Sequence, residues 1–156
     1  MRRDRPAVLF VCLGNICRSP LAEAALRAEA RKAGLDIEID SAGTAGWHAG
    51  KAPDPRSIEV ALEWGVDISH LCARQVTEDD FRRFTHIYAM DAQNLADLRA
   101  MAPTDATAAV ALILDTIRGR EGASVADPYY DGEDMFRFTW EDVSTAARAI
   151  AADLSR

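Results

Sequence analysis

Long apolar runs, surplus cysteine and excess positive charge are all missing from this chain, and each absence removes a class of function. The apolar stretch from Ala7 to Leu13 falls far short of the ~20 residues that a membrane-crossing helix needs. Behind the basic opening Met1-Arg2-Arg3-Asp4-Arg5-Pro6 it is also too short for a secretion signal, so no membrane association is expected and the cytoplasm is the expected setting. The cysteines, Cys12, Cys17 and Cys72, number only three, an odd and sparse set that makes no disulfide framework and fits a reducing compartment. No His/Cys cluster has ligand spacing, so neither a metal nor an organic cofactor is expected. A formal net charge of -7 argues against a nucleic-acid or membrane-surface partner, which would require a basic face. An anionic substrate remains compatible, because a phosphate site needs only one arginine and a ring of backbone N–H groups.

With 156 residues, 49% of them hydrophobic and 28% charged, the chain has the length and balance of one soluble domain with one core. Ala7-Val8-Leu9-Phe10-Val11-Cys12 is a continuous apolar run, the pattern of a central strand covered on both faces. Ser19 as N-cap with Pro20 at the first helical position predicts a helix to about Ala33, stopped by Gly34. Ile37 to Asp40 alternates as an edge strand does, and Ser41 to His48 reads as a loop. Asp54-Pro55 opens a helix to Trp64, Thr77 caps a short acidic-headed helix, and His86 to Met90 is a third strand. Asp91 caps a helix over Ala92 to Met101, Val110 to Leu114 is a fourth strand, and a last helix runs from Thr139 or Trp140 to Leu154. Alternating strands and helices predict an α/β fold: a single domain with a four-stranded parallel sheet, helices on both faces, and a phosphate-binding loop after strand 1. Ligands of such sheets bind beyond the carboxyl ends of the strands, where strand order reverses.

At that edge lies Cys12-Leu13-Gly14-Asn15-Ile16-Cys17-Arg18-Ser19. A cysteine directly after a buried strand, with an arginine six positions on at a helix mouth, makes an anion cradle from loop and first-turn N–H groups. The field that holds phosphate also favours a thiolate at Cys12. Arg18 offers a planar, permanently charged fork to two phosphoryl oxygens. A buried strand-end thiol is the plain alternative for Cys12, but it leaves Gly14, Asn15, Arg18 and Ser19 unexplained as a group. Asn15 tolerates the left-handed backbone that a loop curled round an ion requires. Ser19 can donate its hydroxyl to the thiolate as well as cap the helix. No Walker loop is present.

The run Val11 to Glu23 resembles the signature of the low-molecular-weight protein tyrosine phosphatases. The match continues in order through Asp40-Ser41-Ala42-Gly43-Thr44, Trp47-His48, Asp54-Pro55-Arg56, Ala73-Arg74-Gln75, Ala89-Met90-Asp91 and Asp127-Pro128-Tyr129. The resemblance implies hydrolysis of phosphotyrosine and aryl phosphates through a cysteinyl-phosphate, with Cys12 as nucleophile, Arg18 as clamp and Asp127 as general acid. An Asp-Pro pair also begins ordinary turns, and position alone does not choose between the two roles. The resemblance further implies that Asn15 is tied to Ser19, Ser41 and His70, and that Trp47 and Tyr129 wall the pocket beside Tyr130. Ile16 lines its floor. Spacing and family together suggest that Cys17 forms a reversible disulfide with Cys12 on oxidation. Asp131, Glu133 and Asp134 read as a solvated face, and Asp91 as a helix cap alone.

Three other readings share parts of this pattern. An arsenate reductase of the same fold needs a downstream cysteine pair for thioredoxin coupling, and only Cys72 stands downstream. Relatives that hydrolyse phosphoarginine carry threonine where this chain has Ile16. A phosphotyrosine-binding module needs neither nucleophile nor acid. The expected partner is a tyrosine-phosphorylated protein, and a monomer is the expected state, with weak dimerisation the alternative.

Overall fold

The computed structural model describes residues 5–129 and 131–155. Strands β1 (Ala7–Cys12), β2 (Glu38–Gly43), β3 (His86–Ala89) and β4 (Ala109–Leu112) form one parallel sheet in the order β2-β1-β3-β4. Helices α1 (Arg18–Ala33), α2 (Pro55–Glu63), α3 (Asp80–Arg83), α4 (Ala92–Met101) and α5 (Glu133–Leu154) connect and cover it.

The two-residue period of β1 divides its side chains between two cores. Val8, Phe10 and Cys12 face one layer with Leu21 and Leu26 of α1, Val60 of α2, and Phe136 and Val143 of α5. Ala7, Leu9 and Val11 face the other, with Phe81 of α3, Phe84 just after it, and Leu98 of α4. Every residue of β1 is therefore buried, which is why the run contains no polar alternation. Strand order reverses between β1 and β3, so the crevice beyond their carboxyl ends opens at Cys12 and Ala89.

Several boundaries differ from the sequence expectation. Cys17, not Ser19, occupies the N-cap of α1 and makes no side-chain cap; Ser19 lies inside the first turn, its hydroxyl directed at Cys12 instead. Pro20 is still in the first turn, where its missing N–H costs no helical bond. Strand β2 continues through Ser41, Ala42 and Gly43, because these residues pair in register with Phe10, Val11 and Cys12. Asp79, not Thr77, is the N-cap of α3, and the Thr77 N–H donates to the Asp80 carboxylate at 2.8 Å. β4 stops at Leu112, and Ile113–Thr116 tightens into a 3-10 turn. α5 begins at Glu133, which makes Glu133 and Asp134 first-turn acids at the positive end of a helix. The Asp54 cap of α2, the Asp91 cap of α4 and the left-handed Gly34 (φ 64°) all stand as expected.

Phe10 is fully buried at the centre of β1 and stacks on Tyr88 of β3, ring centroids 6.0 Å apart. Phe10→Ala is expected to lower stability by about 3–5 kcal/mol, read from the urea-denaturation midpoint. A loss below about 1 kcal/mol would contradict the central position assigned to β1.

Candidate active site

A peptide plane fixes its C=O and N–H in opposite directions, so carbonyls tied outward aim the following N–H groups inward. Around the loop after β1 the ties are explicit. The Cys12 carbonyl accepts from Thr44 N–H (3.0 Å), that of Leu13 from Ala45 N–H (3.0 Å), and that of Ile16 from Asp54 N–H (2.8 Å). The Cys17 carbonyl accepts from Leu21 N–H and from the Ser57 hydroxyl, both at 3.4 Å. Among the described residues, the N–H groups of residues 13–17 find no acceptor within the protein. They are donors open to a ligand at the mouth of α1, a cradle of N–H groups.

Two residues give the loop its shape. Asn15 is the one non-glycine residue with positive φ (58°) among those described. Its side chain holds that strained backbone by donating to Ser19 Oγ (2.9 Å) and Ser41 Oγ (3.0 Å) and accepting from the Arg74 N–H (2.9 Å). Gly43 comes so close that a Cβ there would lie 2.7 Å from the Leu13 carbonyl oxygen and 3.1 Å from the Gly14 carbonyl carbon. Behind Ser41, the buried Glu23 accepts its hydroxyl at 2.7 Å and is paired with Arg27 at 2.8 Å. Burial pushes the Glu23 carboxyl up, and the Ser41 and Arg27 contacts oppose that rise.

Cys12 Sγ lies 3.1 Å from Ser19 Oγ. Ser19 Oγ accepts from Asn15, so its own proton has two acceptors in reach, the Cys12 sulfur at 3.1 Å and the Ala42 carbonyl at 3.4 Å; donation to the sulfur is the arrangement that suits a thiolate. Arg18 is 2% exposed. Its Nη1 donates to Asp91 Oδ2 (2.7 Å) and to the Val125 carbonyl (3.0 Å), and its Nη2 stands 3.5 Å from Asp127 Oδ2. Burial works against the guanidinium charge, but Cys12, Asp91 and Asp127 outweigh it and hold the group protonated. Asp91 thus does more than cap α4: one oxygen accepts Asn94 N–H (2.7 Å) while the other aims Arg18.

Cys12, Ile16, Arg18, Trp47, Asp127 and Tyr129 line one cleft of about 300 Å³, together with Leu13, Gly14, Cys17 and His48. Trp47 (71% exposed) and Tyr129 (38%) offer aromatic surface at the cleft, with the Arg56 guanidinium 5.8 Å from the Tyr129 ring. Tyr130 lies outside the described residues. The expected Asn15–His70 bond is not made: His70 is exposed, and the Asn15 carbonyl oxygen is taken by Arg74 N–H. In the sequence Asp91 has only the role of a helix cap, and Arg74, Gly43 and Glu23 have none. Only Asp91 carried a usable signal, since it follows β3 at the edge where ligands bind.

The fold and this loop define an α/β protein with a cysteine and a buried arginine at the mouth of its first helix, beyond the carboxyl end of the central strand. Comparison with known proteins gives the family. Residues 7–156 match the model of the low molecular weight phosphotyrosine protein phosphatases. A protein of that name from Schizosaccharomyces pombe is 47% identical over 132 residues, 83% of this chain and 84% of the relative. The low molecular weight protein-tyrosine-phosphatase YfkJ of Bacillus subtilis is 41% identical over 96% of both chains. Its crystal structure superposes with a TM-score of 0.90, covering 99% of this chain and 98% of the other at 40% identity. A Drosophila arginine phosphatase also superposes with a TM-score of 0.90, at 31% identity over 96% of this chain and 98% of that one. The chain belongs to the low molecular weight phosphotyrosine protein phosphatase family and is a phosphatase, a hydrolase.

The two flanking thiols differ in setting. Burial first, then Asp54 and Cys12, push the Cys17 thiol well above its ordinary value, whereas Cys72 is exposed. At pH 7 iodoacetate is expected to modify Cys72 and to leave Cys17 untouched, as peptide mass spectrometry will read. Equal labelling of the two would overturn the buried, protonated state assigned to Cys17.

Proposed function

We propose that this protein hydrolyses phosphotyrosine in proteins, and aryl phosphates, by way of a phosphocysteine at residue 12. The single observation that supports it most is that a cysteine sulfur, a buried arginine and an aspartate share one cleft with two exposed aromatic rings. In this reading the phosphoryl group sits in the ring of N–H groups with two of its oxygens on Arg18. Cys12 Sγ attacks phosphorus as the ester P–O bond breaks, and Asp127 gives its proton to the departing phenolate. Asp127, now a carboxylate, takes a proton from water as that water attacks phosphocysteine, releasing inorganic phosphate and restoring the thiolate. Ser19 assists departure of the sulfur by donating to it, and Asn15 with Ser41 keeps the cradle's shape. His70 stays outside this set, since its contact to Asn15 is not made.

Trp47 and Tyr129 hold the phenyl ring over an apolar Ile16. The fold alone does not choose the phospho-amino acid, because the arginine phosphatase superposes equally well. Ile16 on the cleft favours a phenyl ring over a guanidinium. Cys17 would serve as the redox partner that captures an oxidised Cys12 as a disulfide. Acting as a monomer in a reducing cytoplasm completes the reading. Among the described residues no helix is long and apolar enough to cross a membrane.

Cys12→Ser is expected to abolish turnover of p-nitrophenyl phosphate while inorganic phosphate still binds, measured by steady-state kinetics and calorimetry. Asp127→Ala is expected to lower kcat/KM on the order of 10²-fold or more for phenyl phosphate, and far less for substrates whose leaving group needs no proton. An Asp127→Ala enzyme equally impaired on all leaving groups would remove Asp127 from the acid role.

A further inference from the structure

Asp127 is weakly held by its own contacts. Its side chain is 44% exposed, and its two contacts are Arg18 Nη2 at 3.5 Å and the Tyr129 N–H at 3.1 Å. Its placement over the cleft therefore depends on what anchors the chain on either side. Upstream, Val125 donates its N–H to the Met90 carbonyl (2.8 Å) and accepts Arg18 Nη1 (3.0 Å), which ties the loop to the end of β3. Downstream, Arg56 anchors the segment through two of its carbonyls. Its Nη2 donates to the Tyr129 carbonyl (2.9 Å) and its Nη1 to the Asp131 carbonyl (3.0 Å). The guanidinium lies 4.4 Å above the buried Phe136 ring of α5 and 5.8 Å from the Tyr129 ring.

Arg56 is itself pinned. Nε donates to Asp54 Oδ1 (3.0 Å) and Nη2 to Asp54 Oδ2 (2.9 Å), a two-pronged contact that lysine cannot reproduce. Asp54 in turn donates its backbone N–H to the Ile16 carbonyl at 2.8 Å, one of the ties that turn the cradle's N–H groups inward. One continuous chain of contacts thus runs from the cradle through Asp54 and Arg56 to the segment just after Asp127. We propose that Arg56 is a positioning residue: it locks the acid-bearing loop in register with the phosphate cradle, so that the carboxyl of Asp127 stands at the leaving oxygen. Arg56 touches no reacting atom, and its effect is exerted through Asp127. The proposal rests on the acid role given to Asp127 above.

The test is a double-mutant cycle of Arg56→Gln and Asp127→Ala, with Arg56→Lys as a second variant, read as kcat/KM on phenyl phosphate and on 2,4-dinitrophenyl phosphate. Arg56→Gln and Arg56→Lys are expected to lower kcat/KM for phenyl phosphate by about tenfold, up to the order of 10²-fold. Both are expected to leave the dinitrophenyl ester and the inhibition constant of inorganic phosphate within about twofold of wild type. In the Asp127→Ala background Arg56→Gln adds no further loss. A loss that is equal for both esters, or that multiplies with that of Asp127→Ala, overturns the proposal even if the thermal midpoint also falls. If Asp127→Ala itself shows no leaving-group dependence, the acid assignment has failed instead, and the two failures are distinguishable.

Discussion

The outward anchoring of a few carbonyl oxygens is the constraint on which the site depends. The carbonyls of Cys12, Leu13, Ile16 and Cys17 are engaged by Thr44, Ala45, Asp54, Leu21 and Ser57, and peptide planarity turns the N–H group that follows each one the opposite way. No single element supplies the anchors. They come from the end of β2, from the N-cap of α2 and from α1 itself, so the cradle exists only because a parallel sheet brings those ends together. The helix mouth behind it adds a fixed positive potential without a mobile charge.

The remaining charges are arranged so that each is oriented by another element. Arg18 leaves α1 but is aimed by Asp91 after β3 and by the Val125 carbonyl. Asn15 is held by Ser19, Ser41 and Arg74, from α1, β2 and the loop before α3. The left-handed Asn15 costs on the order of 1–3 kcal/mol, and its three side-chain bonds are what keep that conformation populated. In the proposed reaction a preformed cradle needs little rearrangement when charge moves from sulfur to phosphoryl, which is the condition under which fixed dipoles accelerate a reaction most.

Much of this was legible in the residues. The uninterrupted apolar run of β1, the Asp54-Pro55 and Asp91 caps and Gly34 each act through local physics, and each appears where it was expected. The loop was legible because glycine, asparagine and a charged arginine have no ordinary reason to stand between a buried strand and a helix. What failed to show was long-range or contested. Ser41-Ala42-Gly43 look like loop residues, yet pairing with β1 makes them strand. Ser19 looks like a helix cap, yet its hydroxyl lies against the Cys12 sulfur and caps nothing. The acidic Glu133 and Asp134 are a helix start that reads equally well as a solvated run. The Arg18–Asp91 pair spans 73 positions, the Asn15–Arg74 bond 59, and no local pattern announces either.

The central claim is that this cradle keeps a sulfur ready to accept a phosphoryl group. Rapid acid quench during turnover of a labelled aryl phosphate, followed by peptide mapping, tests it most directly. Label recovered as phosphocysteine on the peptide containing Cys12, formed in a burst before steady state, is the predicted result. Full turnover with no phosphorylated peptide, or with the label on another residue, would contradict it.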